Sequence, residues 1–244
     1  MARCGRINQQ PYKASQLFAL QRLTRQRFHL VKTIMREKTY MMSNIYLKFS
    51  SLYIAKKEDE PFSDMFGNTS RSIIADFTPD DIVNMSDEDM INFIMEKGKS
   101  RFSNPEENVK LLKKIARDSY RLDKVAYDPI NVAISSSFNT IKALEDNLKV
   151  IDKAIEKNIK GLCDKEFTIL KSIPGIGDVY AAGIISEIGC IEFFKDNNAL
   201  AKYAGLTWRK TQSGYFEAET TRMTKTGNKY LRYYLIEAVS SVKN

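Results

Sequence analysis

The chain has 244 residues, 43% of them hydrophobic and 28% charged, with a net charge of +8. That is enough apolar material for one large or two small cores, which excludes general disorder; no run of eighteen apolar residues and no signal-peptide pattern is present, so the chain reads as soluble and cytoplasmic, with no membrane partner. Cys4, Cys163 and Cys190 are far apart and form no CxxC pair, which argues against a disulfide framework and a zinc site, and the single histidine, His29, excludes a histidine metal cluster.

Charge is distributed unevenly. Residues 1–56 hold eleven Lys or Arg against one acid, Glu37, whereas residues 57–95 hold ten acids against Lys57 and Arg71. With the periodicity described next, this divides the chain into a basic helical arm (1–56), an acidic short-helix module (57–130), a coiled-coil helix (131–166) and a C-terminal domain (167–244).

From Ser15 to Tyr53 the spacing predicts one long helix with a break near Tyr40. Leu17, Leu20, Leu23, Phe28, Val31, Met35, Met42 and Ile45 form its apolar face. Arg22, Arg25, Arg27, Lys32, Arg36 and Lys38 decorate the rest. Held on one face, such charge neutralises phosphates and gives salt-sensitive nucleic-acid binding; the alternative is a solvated helix face.

In the acidic module, Thr78-Pro79-Asp80-Asp81, Ser86-Asp87-Glu88-Asp89 and Asn104-Pro105-Glu106-Glu107 each place a cap residue ahead of first-turn acids, predicting three short helices. Those positions account for the acids without a metal. Ile134, Ile141, Leu148 and Ile155 then recur every seven residues, with Leu144 and Ile151 in the second column and Ser137 and Asn158 as its polar exceptions. This predicts coiled-coil packing, within the chain or as a homo-oligomer through Ile134, Ile141, Leu148 and Ile155.

The stretch from Phe167 to Gly189 is the most specific. Pro174 stops an apolar helix, Gly175 and Gly177 bracket Ile176 in a sharp turn, and a second helix restarts with Asp178 as N-cap and Ala181, Ile184, Ile185 and Ile188 on its apolar face. A helix-hairpin-helix of this kind offers uncovered backbone amides at a helix start to a phosphate; a purely steric αα-corner is the other reading. A dinucleotide-binding GxGxxG is excluded because no strand precedes it and the third glycine is missing.

Further on, Asn198 to Gly205 predicts a short helix, Thr207 to Thr221 an irregular or hairpin-like excursion turning at Ser213-Gly214, and the last helix starts near Asn228 and buries Leu231, Leu235, Ala238 and Val239. Arg222, Lys225, Lys229 and Arg232 surround that start and suggest a second anion site.

These blocks, Ser172-Ile-Pro-Gly-Ile-Gly177, Glu187-Ile-Gly189, Ala199-Leu-Ala-Lys-Tyr-Ala-Gly-Leu206, Gln212-Ser-Gly214 and Lys225-Thr-Gly-Asn-Lys-Tyr-Leu-Arg232, resemble in order and spacing the C-terminal domain of bacterial insertion-sequence transposases of the IS-one-ten and IS-one-sixteen group, which are DEDD-type, RNA-guided recombinases. Weaker similarity touches Leu23 to Val31, Gly98 to Phe102 and Ala116 to Tyr120. The expected fold is mainly α: a long basic helix and coiled-coil region followed by a small C-terminal transposase domain containing the helix-hairpin-helix.

The resemblance implies DNA as partner, a guide RNA as a second one, and Ser213 as the nucleophile that attacks a DNA phosphodiester. Arg209, Lys210 and Lys225 would stabilise the phosphoryl oxygens. In the family, four carboxylates of an N-terminal RuvC-like domain hold divalent metal. No such acids precede Arg22, so the chain is expected to be N-terminally truncated, with no cofactor of its own and magnesium only with the missing domain. Two outcomes stay open: a recombinase piece complemented in trans, or a non-catalytic nucleic-acid-binding or regulatory remnant. A generic helix-hairpin-helix repair accessory protein is a weaker third.

Overall fold

The computed structural model describes residues 15–159, 164–208, 212–213, 216–217 and 221–242, with the backbone alone at 164, 212, 213, 216 and 217. The fold is mainly α. The chain divides into a central unit, residues 32–145, and a terminal unit made of residues 1–31 with 146–244. Two long helices, α1 (Ser15–Lys48) and α7 (Lys124–Ile159), contribute to both.

The predicted break in the basic helix lies later in the chain. Helix α1 continues through Tyr40 to Lys48 and stops at Phe49, whose burial and non-helical backbone (φ −134°, ψ 74°) separate it from α2 (Ser50–Ile54). Its buried face also differs from the predicted one: Leu20, Leu30, Ile34, Met41 and Ile45 are buried, while Met35 is exposed. Cations therefore fall on the inward side of the helix. Lys48 is fully buried and donates to the Ile74 and Ala75 carbonyls at 2.6 and 3.4 Å, so it closes the end of α3 (Asn68–Asp76).

Helix α3 was not among the predicted helices of the acidic module. The other three are present as α4 (Pro79–Asn84), α5 (Asp87–Lys97) and α6 (Pro105–Asp118). Thr78 caps α4 in a reciprocal capping box with Asp81, and Ser86 accepts from the Asp89 amide at 3.1 Å. Asn104 makes no cap bond and donates to Glu107 instead, at 2.7 Å. Ile73, Ile74, Ile82, Met90, Ile94, Val109 and Leu112 form the buried interior of this unit, each contributing about 1.5–3 kcal/mol by leaving water.

Along α7, Ile134, Ile141 and Ile155 are fully buried within this one chain, Ile155 against Leu20, Ile159 and Ala182. Three of the four residues nominated for a homo-oligomer are thus already covered. A second copy could reach them only by opening the fold.

In the terminal unit follow α8 (Asp164–Lys171), α9 (Asp178–Ile188), α10 (Asn197–Ala204), β1 (Gln212–Ser213), β2 (Phe216–Glu217) and α11 (Lys229–Ser241). The antiparallel ladder pairs Gln212 with Glu217 and Ser213 with Phe216, and a further bridge joins Trp208 to Met223, so the excursion is hairpin-like over its described residues. Ile176, Ala181, Ile184, Ala204, Leu231, Tyr234 and Ala238 pack as the core. Val239, predicted as core, is 71% exposed; Tyr234 takes the inward position.

Candidate nucleic-acid interface

The α8–α9 connection is a tight hairpin, but its two glycines differ in role. Gly175 has φ +90°, and a Cβ there would lie 2.2 Å from the Ser241 carbonyl oxygen, so this glycine lets the turn press against the end of α11. A Cβ at Gly177 would meet nothing within 4 Å. Gly177, rather than Asp178, is the N-cap of α9, and it brings no capping side chain. Asp178 occupies the first helical turn and pairs with Lys171 at 2.6 Å. One glycine is therefore steric, and the other leaves a helix start open beside a carboxylate that competes with an incoming anion.

Helix α9 is buried from Ala181 to Glu187, because small residues let its neighbours close in. A Cβ at Gly183 would stand 2.4 Å from the Tyr234 ring, and Ala182 packs beside Leu20 and Ile155. This burial takes a carboxylate with it. Glu187 is fully buried, and Arg25 donates to it through Nε at 2.7 Å and a terminal nitrogen at 2.9 Å. Gln21 and Asn228 donate to its Oε2 at 3.1 and 2.8 Å.

A buried carboxylate is tolerable only with its lone pairs answered, and here three side chains from two other helical segments answer them. The bond from Arg25 to Glu187 raises the guanidinium pKa despite partial burial. Nearby, Thr24 and Ser186 hydroxyls meet at 3.1 Å, and the Tyr234 hydroxyl donates to the Thr24 carbonyl at 2.7 Å. Burial pushes the Tyr234 phenol pKa far up.

The cations nominated from sequence thus separate into two sets. Arg25 serves Glu187, Arg27 is held by Asp152 at 2.7 Å, and Arg232 donates to the carbonyls of Ala204 and Lys225 at 2.9 and 3.2 Å. At Arg27 burial is the strongest single influence and opposes the charge, but the hydrogen bond and negative charge of Asp152, with smaller contributions from Tyr234 and Tyr233, together raise the guanidinium pKa. Asn228 caps α11 by accepting from the Tyr230 and Leu231 amides. These four are tied into the structure.

Arg22, Arg222, Lys225 and Lys229 are exposed in the terminal unit, and Arg36 is exposed in the central one. Lys229 stands 5.0 Å from the Tyr230 ring centroid, with Arg25 at 4.5 Å from the same ring and Phe28 edge-on to it. Arg22 shares the Arg25 face of α1, three residues earlier. The result is an aromatic and cationic surface where α1 meets the start of α11. Arg209 and Lys210 lie outside the described residues, as does the side chain of Ser213, whose backbone sits in β1.

Sequence reasoning missed Glu187, Gln21, Tyr230 and Phe28 as parts of this region. A signal for Glu187 existed: it is the one acid after Asp178 in a run of small and apolar residues through Ile188. Among the described residues no three His, Cys, Asp or Glu converge to hold a metal, and Glu187 has its oxygens taken. The described residues do not fit the divalent metal that the resemblance associates with an upstream domain.

Residues 167–244 match the family model described as Transposase IS116/IS110/IS902 family. This segment is similar to the transposases of that family. It comprises the α8–α9 hairpin, the α10 helix, the β1–β2 ladder and α11, and the basic start of α11 belongs to it. The Glu187 cluster ties the matched segment to α1, which lies outside the matched residues. No curated protein matches the chain. No described helix is long and apolar enough to cross a membrane.

Proposed function

We propose that the chain is a DNA recombinase component whose terminal unit grips nucleic acid across the α1–α11 surface and whose Ser213 is the nucleophile of strand exchange. The observation that supports it is Lys229 over the Tyr230 and Phe28 rings at 5.0 and 6.0 Å, with Arg22, Arg222 and Lys225 exposed in the same unit, whose residues 167–244 resemble a transposase family. Cations held over aromatic rings suit a phosphate chain with bases alongside. DNA is the partner, and a guide RNA is the second ligand that the resemblance brings. In the chemical step the Ser213 oxygen bonds to phosphorus, a sugar oxygen leaves with the proton, and a phosphodiester link to protein results.

Fluorescence anisotropy with a labelled DNA duplex over a salt series tests the grip. Arg22→Glu with Lys229→Glu should weaken binding at least tenfold and flatten the salt slope, because each lost phosphate contact removes about 0.9 from it. Unchanged affinity and slope would remove this surface as the interface. For the nucleophile, Ser213→Ala should bind as the parent does and form no covalent DNA adduct with a carboxylate-bearing partner domain; an adduct formed by that variant would exclude Ser213. Binding without an adduct in the parent would favour the non-catalytic reading.

A further inference from the structure

The central unit contains a cavity of about 470 Å³ outside the transposase domain, and the surface described above does not involve it. Its walls are the start of α3 and the 97–103 turn after α5. That is the size of pocket that takes a small ligand, larger than a single ion needs.

Four features converge on it. Helix α3, nine residues long, begins there with Gly67 as N-cap and no capping side chain, and its first intrahelical amide bond is Arg71 to Gly67 at 2.9 Å, which leaves the amides of Asn68, Thr69 and Ser70 without helical acceptors. Thr69 lines the cavity at only 7% exposure, and its hydroxyl makes no hydrogen bond to any described residue. Its oxygen is not one of the enclosed atoms left without a partner, so it stays open to the cavity. Lys99 and Arg101 line the mouth, exposed and without an ion pair among the described residues, whereas Lys97 is already beside Glu96 at 3.4 Å. Finally, Phe62 and Phe102 supply an apolar wall, edge to face at 6.3 Å.

The lining carries one carboxylate, Asp64, which accepts from the Phe66 amide at 2.9 Å. Against it stand two uncommitted cations, an open helix start and a hydroxyl with no protein hydrogen bond among the described residues. We propose that this cavity is a binding site for a phosphate monoester, with the phosphate on the α3 amides and Thr69, Lys99 and Arg101 over its outer oxygens, and the attached group against Phe62 and Phe102. A dianion matches the two free cations, and helix starts combined with arginine favour phosphate over a neutral ligand. The same chemistry is offered by a free nucleoside monophosphate and by the 5′-phosphate of a nucleic-acid strand.

The full chain, labelled with nitrogen-15, is titrated with inorganic phosphate, adenosine 5′-monophosphate, and one short single strand with and without a 5′-phosphate. Saturable shifts of the Asn68, Thr69 and Ser70 amides are expected. Lys99→Gln with Arg101→Gln should weaken them at least tenfold, and Thr69→Val several-fold, with an unchanged helical circular-dichroism spectrum in each case. Shifts with the phosphorylated strand and not its unphosphorylated twin assign the site to a strand end; shifts with the mononucleotide or phosphate alone assign it to a small phosphate, and either supports the proposal. It is overturned if no phosphate compound moves these amides, if the unphosphorylated strand moves them equally, or if the double variant leaves the affinity unchanged.

Discussion

Arg25 and Glu187 lie 162 residues apart in sequence and meet through two guanidinium–carboxylate bonds of 2.7 and 2.9 Å. The acid is fully enclosed, while the arginine side chain keeps 32% of its surface in solvent. Truncating the arginine should therefore cost more than the pair contributes. Arg25→Met strands a buried charge and is expected to destabilise the chain by about 2–3 kcal/mol in urea unfolding. Arg25→Met with Glu187→Met should cost clearly less than the two single changes summed, and additive losses would show the two side chains to be uncoupled.

Gly183→Ala should also destabilise, although alanine is the better helix former by about 1 kcal/mol. The added methyl would meet the fully buried Tyr234 ring at 2.4 Å. Tyr234→Phe keeps the ring and loses only the bond to Thr24, so it should cost about 1 kcal/mol and give Gly183→Ala no relief. Tyr234→Leu should relieve part of it. Thermal midpoints of the six combinations, Gly or Ala at 183 with Tyr, Phe or Leu at 234, check this.

The hairpin glycines should separate stability from binding. Gly175→Ala forces a side chain into a positive φ and against the Ser241 carbonyl, and is expected to lower the thermal midpoint. Gly177→Leu projects into open space, so it should leave the midpoint near that of the parent and weaken nucleic-acid affinity if α9's start contacts phosphate. Equal affinity in anisotropy would confine the hairpin to a steric role.

Lys48 gives stability a pH dependence. Burial lowers its pKa from 10.5 to about 8. Between those values the unfolded chain holds more protons than the folded one, so the fold gains stability as pH rises; below the lower value it carries the full cost of the buried charge. The unfolding free energy of the parent relative to Lys48→Met should therefore increase by about 2 kcal/mol between about pH 7 and about pH 9.5. Taking the difference cancels the tyrosines, and a flat difference would mean that the ammonium stays charged in the fold.

What was legible in the sequence depended on whether a residue's direction could be read from its neighbours. Thr78 and Ser86 announced their helices because a cap and the acids after it are a local arrangement. The seven-residue column of Ile134, Ile141 and Ile155 marked buried positions correctly, but periodicity does not say what covers them, and the chain covers them itself. The basic arm was only partly legible for a related reason. Eleven positive charges can be counted, yet a count does not reveal that Arg27 and Lys48 turn inward to Asp152 and to backbone carbonyls. The blocks of the C-terminal segment carried the family resemblance, whereas a lone acid in an apolar run marked Glu187 without naming its partners, which come from two distant helical segments.

The recognisable segment and the foldable one have different borders. A fragment cut at Phe167 would retain Glu187 but lose Gln21 and Arg25, and would expose Ala182 where Leu20 and Ile155 had shielded it. The Tyr234 hydroxyl would also forfeit its acceptor. Anyone excising the family-matched piece for expression should carry α1 along with it, since the long helix serves as an internal lid for that segment.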